Sequence, residues 1–159
     1  MDKRALIQEL IAVARAEMAV LDRAARAARE AATHEESRPE NDKDTRAIEA
    51  SYLAGAQADR IRDIERVING LEFLPLRPFA ATDPIASAAL VEVDVDGKRS
   101  HYFLAPQGGG IRVTIDGVVI QVITPPSPVG RALLGRASGE VVEVRTEGGV
   151  REYEIVAVT

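Results

Sequence analysis

IQELIAVARAEMAVLDRAARAAREAA, from Ile7 to Ala32, and AIEASYLAGAQADRIRDIERVINGL, from Ala47 to Leu71, decide the fold. In the first run Ile7, Ile11, Ala14, Met18, Leu21, Ala25, Ala28 and Ala32 step by four and three in turn. In the second, Ala47, Ala50, Ala54, Gln57, Ile61, Ile64, Ile68 and Leu71 step by three and four. Steps averaging about 3.5 residues keep one seam turned toward a partner helix. Two such runs joined by a short break predict an antiparallel helical hairpin whose break is an exposed tip.

The seam has a gradient. Large residues (Ile7, Ile11, Met18, Leu21) open the first run and alanines close it, while the second run starts on alanines and ends on Ile61, Ile64 and Ile68. Only antiparallel pairing sets large against large. The first helix is expected from about Asp2 to Thr33, which at ~1.5 Å per residue is an arm of roughly 45 Å. Asp22 and Arg26 stand at i,i+4 with the acid first, the favoured order for a solvated pair.

Beyond the second run the composition changes. Up to Asn69 the chain has one proline, Pro39, and one glycine, Gly55; from Gly70 onward it has seven prolines and eleven glycines. Few breakers with much Ala, Glu and Arg favour helix, whereas Val, Ile and turn residues favour sheet. Gly70 is the expected cap of the second helix, and Pro75 and Pro78 prevent its continuation. The chain therefore reads as α+β: a helical hairpin over residues 1–74, with an acidic tip near 34–44, and a sheet domain over 75–159.

In the sheet domain, 89–95 and 100–104 flank an Asp96-Gly97 turn, and 110–115 and 118–124 flank Asp116-Gly117. Ser127-Pro128 reads as an N-cap followed by a proline in the first helical turn, with Gly135 as the stop. A closing hairpin turns at Glu147-Gly148-Gly149. The expectation is a small antiparallel sheet with one short helix.

Composition limits the function. A net charge of −5 lacks the basic face of a non-specific nucleic-acid binder, and direct sequence-specific DNA binding is not expected either. The chain has no cysteine, hence no disulfide, thiolate metal site or thiol nucleophile. No apolar run approaches the ~20 residues that span a bilayer. Residues 5–14 contain Glu9 and no small-residue cleavage site, unlike a signal peptide. The expected address is the cytoplasm, away from membranes.

The tip, HEESRPENDKD over residues 34–44, holds Glu35, Glu36, Glu40, Asp42 and Asp44 beside Arg38 and Lys43. Projecting carboxylates supply the hard oxygen ligands that magnesium takes, typically one or two from protein with waters and phosphate oxygens completing the shell. A turn alone holds such an ion weakly, so a partner would have to supply the remaining ligands. The competing reading is a solubilising turn whose acids suit the N-terminus of the second helix. Gly108-Gly109-Gly110 has no following Lys-Ser or Lys-Thr and precedes a strand, so it reads as a loop rather than a phosphate cradle. His34 and His101 stand alone, without metal-ligand spacing.

The segment SPVGRALLGRASGEVVEVRTEGGVREYEIVAV, Ser127 to Val158, resembles the C-terminal part of the bacterial Gre transcript cleavage factors. Ser127, Pro128, Arg131, Ala132, Leu133, Gly135, Gly148, Gly149, Glu152 and Ile155 carry the likeness. Glu40-Asn41 matches the family's Glu-Asn at the tip, and RIRDIE, 60–65, its second helix. The resemblance implies an FKBP-like C-terminal domain that docks on the rim of the secondary channel of RNA polymerase, with Ser127, Pro128 and Arg131 in or near the contact. It also implies that tip carboxylates help hold a second Mg2+ at the polymerase active site, so that the polymerase hydrolyses its own backtracked RNA. The factor would bind no metal alone, would meet the RNA 3′ end only indirectly, and would not be an enzyme by itself. Glu40 stands for the family's tip Glu; three residues earlier the family has Asp and this chain has Ser37, so Glu36, Asp42 and Asp44 are the acids that would complete the set. A channel binder that regulates or inhibits the polymerase without cleavage is the alternative. A proline isomerase, using Phe79, Tyr102, Phe103 and Tyr153 as pocket aromatics, is a third reading.

Overall fold

Two long helices lead into a six-stranded sheet in a computed structural model that describes residues 2–33 and 45–159. Helix α1 (Lys3–Thr33) starts where Asp2 accepts the Arg4 backbone N–H at 2.8 Å, satisfying one of the free donors of the first turn. Helix α2 (Thr45–Glu72) runs through Gly70, which therefore lies inside the helix and does not cap it. The helix ends two residues later, where Phe73 N–H reaches Asn69 O and Leu74 N–H reaches Leu71 O. A β-carbon at 70 would lie 3.5 Å from Gln107, an ordinary contact.

The helices pair antiparallel along the expected seam. Ile7, Ile11 and Ala14 are buried with Ile64, Ile68 and Leu71, and Met18 and Leu21 pack against the same cluster. Outward, Ala25, Gln57 and Ile61 are half-buried, and Ala28 and Ala54 are exposed. Ala32, Ala47 and Ala50 lie outside the described side chains. Glu17 and Arg60 join the two helices at 2.6 Å, and Asp22 holds Arg26 at 2.8 Å.

A second stripe completes the base. Leu6 and Leu10 are both fully buried. They are adjacent to the seam positions Ile7 and Ile11, and they share a cluster with Leu90, Phe103, Ile120 and Val122 of the sheet. The base of the hairpin is thus packed on one sheet face, while its distal half extends beyond that cluster.

The strands are β1 (Leu90–Val95), β2 (Lys98–Leu104), β3 (Arg112–Ile115), β4 (Val118–Ile123), β5 (Val141–Thr146) and β6 (Gly149–Val158), in the order β3-β4-β2-β1-β6-β5. The hairpins β1–β2 and β3–β4 turn at Asp96-Gly97 and Asp116-Gly117, with all four residues in the left-handed region, as two-residue turns with the twist of a sheet require. The sheet is mixed, which corrects the expectation of antiparallel pairing throughout: β2 and β4 run parallel, His101 beside Ile120 and Phe103 beside Val122. The chain leaves β2, passes to the edge as β3, and returns as β4 between the two. Residues 105–111 make that crossing, with Gly108 and Gly110 at φ 81 and 94. A β-carbon on Gly108 would come within 3.1 Å of Val67 of α2, so the loop is a packing seat for the hairpin.

The opposite face carries a second core of Val91, Val93, Leu104, Val142, Val144, Tyr153 and Ile155. Helix α3 (Pro128–Leu133) and Ile85 close it.

Candidate functional site

The turn into α3 is interlocked by a few groups. Ser127 adopts an extended backbone; its Oγ accepts the Gly130 N–H at 3.0 Å and donates to the Thr124 carbonyl at 2.7 Å. The Ser127 N–H donates to that same carbonyl at 2.9 Å. Pro128 occupies the first turn, where its missing N–H is no loss. A β-carbon at Gly130 would lie 2.0 Å from the Thr124 oxygen, so no other residue fits there without moving the backbone. Leu133, fully buried, anchors α3 in the second core. Beyond it Gly135 N–H reaches Ile85 O, and Ile85 N–H reaches Arg136 O.

The structure thus brings Ser127, Pro128 and Arg131 together. Arg131 is exposed, and its guanidinium donates to the Pro126 carbonyl, which folds the charge over the turn. Beside them a cleft of about 370 Å3 is lined by Gln121, Thr124, Val129 and Thr146 among others. Sequence reasoning missed Thr124 and Gly130. The signal for Gly130 was present, a glycine three residues after the Ser-Pro cap, but the carbonyl that excludes a side chain there comes from the end of β4.

Glu36, Glu40, Asp42 and Asp44, with His34, lie outside the described residues. Among the described residues no group of three or more His, Asp or Glu is placed to hold a metal ion. His101 lies in β2 as expected, its Nε2 3.9 Å from Glu92. No described helix is long and apolar enough to cross a membrane.

Of the four aromatics of the isomerase reading, Phe79, Tyr102 and Tyr153 border the second core and Phe103 does not. Phe103 is buried in the core facing the hairpin, whereas Tyr102 and Tyr153 stack at 6.3 Å on the other face. Burial pushes the Tyr102 hydroxyl up to about 12, and the neighbouring Tyr153 adds to this. Phe79 is covered by two cations, Lys3 and Arg77.

Residues 117–159 match the family described as transcription elongation factor GreA/GreB, C-terminal. Among curated proteins, the chain is 30% identical over 115 residues to transcription elongation factor GreA of Brucella anthropi, covering 67% of this chain and 68% of that protein. It is 29% identical over 120 residues to GreA of Mesorhizobium japonicum, covering 69% of each. It is 29% identical over 108 residues to GreA of Thermotoga neapolitana, covering 66% of this chain and 64% of that protein. The matched stretches thus span about two thirds of these relatives' lengths. Among solved structures, GreA factor homolog 1 (Gfh1) of Thermus thermophilus is similar at 21% identity and a TM-score of 0.38, covering 96% of this chain and 94% of that one. GreA/GreB from Nitrosomonas europaea is similar at 25% identity and a TM-score of 0.38, covering 60% and 78%.

Proposed function

The chain belongs to the GreA/GreB family of transcription elongation factors, and from that premise we propose that it binds RNA polymerase at the secondary channel and stimulates cleavage of backtracked RNA. In this reading residues 75–159 are the docking domain, with Ser127, Pro128 and Arg131 in the contact, and residues 1–74 are the arm. The observation that carries the proposal is the shared base: one face of the sheet seats Leu6 and Leu10 of the arm, and the other seats the helix that follows the Ser127 turn. A load applied at the turn is therefore passed through packed core to the arm, which fixes where the arm points.

The arm beyond Leu21, the last α1 residue packed on the cluster, contains about twelve more residues of α1, or roughly 18 Å of helix. At its end Glu40 and Glu36, with Asp42 and Asp44, would offer carboxylate oxygens, the donor chemistry that suits Mg2+. An ion shared with the polymerase would stabilise charge on the attacking and leaving oxygens of an in-line displacement. The chain itself supplies ligands and position; the polymerase performs the hydrolysis. A second reading, channel binding without cleavage, is favoured by Ser37 at the place of the family's Asp.

A backtracked elongation complex with end-labelled RNA separates the two. Addition of the purified chain should shorten the transcript, and Glu40→Ala should abolish the shortening while leaving polymerase binding nearly intact. Slowed synthesis without shortening supports the second reading. Normal cleavage by Glu40→Ala overturns the role given to that carboxylate.

A further inference from the structure

Where α1 begins and α2 has just ended, Asp2, Lys3, Arg4, Arg77, Phe79 and Thr159 are among the residues that line an open cleft of about 390 Å3. Lys3, Arg4 and Arg77 outnumber the neighbouring carboxylates of Asp2 and Asp83 by one. Lys3 Nζ lies 4.5 Å from the centroid of the Phe79 ring and the Arg77 guanidinium carbon 3.8 Å from the same centroid, so one ring holds two cations. Lys3 also donates to the Arg77 carbonyl at 3.0 Å, which fixes the ammonium beside the guanidinium. Asp2 is engaged at the backbone N–H of Arg4, and Asp83 pairs with Arg77 at 3.1 Å. Neither Lys3 nor Arg4 has a carboxylate partner among the described residues.

We propose that this cavity binds a small phosphate-bearing anion, either free phosphate or the phosphate group of a mononucleotide, held between Lys3, Arg4 and Arg77. Arginine forks bind phosphate oxygens in a bidentate way, and a half-buried ammonium adds a point charge. Lys3 and Arg4 stand in the first turn of α1, the end of a helix whose dipole favours an anion. The Lys3 ammonium is held below the ordinary lysine range, first by burial and then by Arg77. The cavity has room beyond one phosphate group, which is why an ester is included. This site is separate from the Ser127 turn.

Titration of the full chain with inorganic phosphate and, separately, with adenosine monophosphate tests the proposal by calorimetry at low ionic strength. One saturable site per chain is expected. Lys3→Gln and Arg77→Gln should each weaken binding about tenfold or more, as loss of a charge-assisted hydrogen bond does. Lys3→Arg should keep most of it. If Arg77→Gln loses the fold with its Asp83 pair, Arg4→Gln, whose side chain makes no ion pair among the described residues, gives the same test. Tighter binding of the nucleotide assigns the site to an ester; equal binding assigns it to free phosphate. No saturable binding of either probe, or binding that Lys3→Gln and Arg4→Gln leave unchanged, overturns the proposal.

Discussion

Replacing Leu10 by alanine should weaken the sheet as well as the hairpin. Leu10 is fully buried and belongs to the cluster that includes Ile64 and Ile68 of α2 and Phe103 and Ile120 of the sheet. The change removes three carbons, worth about 2.4 kcal/mol at roughly 0.8 kcal/mol each. The hole left behind adds to this, because β2 and β4 are held by ladder bonds and cannot collapse into it; about 3 kcal/mol in total is expected. For a chain of this size that lowers the melting temperature by roughly 6–12 °C. The assay is thermal or urea unfolding followed by two probes: far-ultraviolet circular dichroism, dominated by the helices, and tyrosine fluorescence. A Tyr52→Phe background leaves Tyr102 and Tyr153 of the sheet as the only emitters. Both transitions should move together. Val20→Ala, at an exposed position, should move neither by more than about 0.5 kcal/mol. An early helical transition with the tyrosine signal unshifted would refute the shared base, and with it the idea that the turn at Ser127 is coupled to the arm.

Further outcomes concern single groups. Gly130→Ala places a methyl group 2.0 Å from the Thr124 oxygen and should both destabilise the chain by roughly 2 kcal/mol or more and reduce its retention by immobilised RNA polymerase. Ser127→Ala removes the cap and the bond from its hydroxyl to the Thr124 carbonyl, and should cost about 1–2 kcal/mol in the same melts. Ala88→Gly should raise stability by about 1 kcal/mol, because Ala88 is held at φ 68 in a turn that glycine enters without strain; a lower melting temperature would show that its buried methyl group matters more. Tyr102, raised in the folded chain from 10.0 to about 12, favours folding fully below pH 10, and its contribution is lost as pH rises toward 12. Absorbance at the phenolate band should show one late-titrating tyrosine, and Tyr102→Phe should remove it.

Much of this fold was legible because its signals are local. The heptad steps located the seam, and the size gradient from Ile7 to Ala28 set its direction. Asp96-Gly97 and Asp116-Gly117 specified turns whose backbone only a few residues adopt. Ser127 and Pro128 marked the start of α3. What escaped depends on contacts between distant parts. Nothing near Phe103 or Val122 announces that their strands run parallel, because each strand is already paired by its own hairpin. Leu6 and Leu10 were passed over since a heptad reading admits one seam, while a helix that also rests on a sheet needs a second stripe beside it. Gly70 has the residue type of a stop, whereas the helix runs through it and ends two residues later, beside Pro75. Of the candidate site, the Ser127-Pro128 turn was legible from its capping pattern, its docking role rests on the family resemblance, and Gly130 was missed because the atom that demands it lies in another element. The tip acids remain a reading of the sequence alone.

The central claim is that the arm brings residues 34–44 to the metal of RNA polymerase, and metal-directed cleavage of the chain tests it most directly. With Fe2+ replacing Mg2+ at the polymerase active centre, hydroxyl radicals cut polypeptide close to the ion. The account predicts cuts in this chain between Thr33 and Thr45, present only with polymerase and weakened in step with the reduced docking of Gly130→Ala. Cuts confined to the sheet strands, or none in the chain while it is bound, would contradict it.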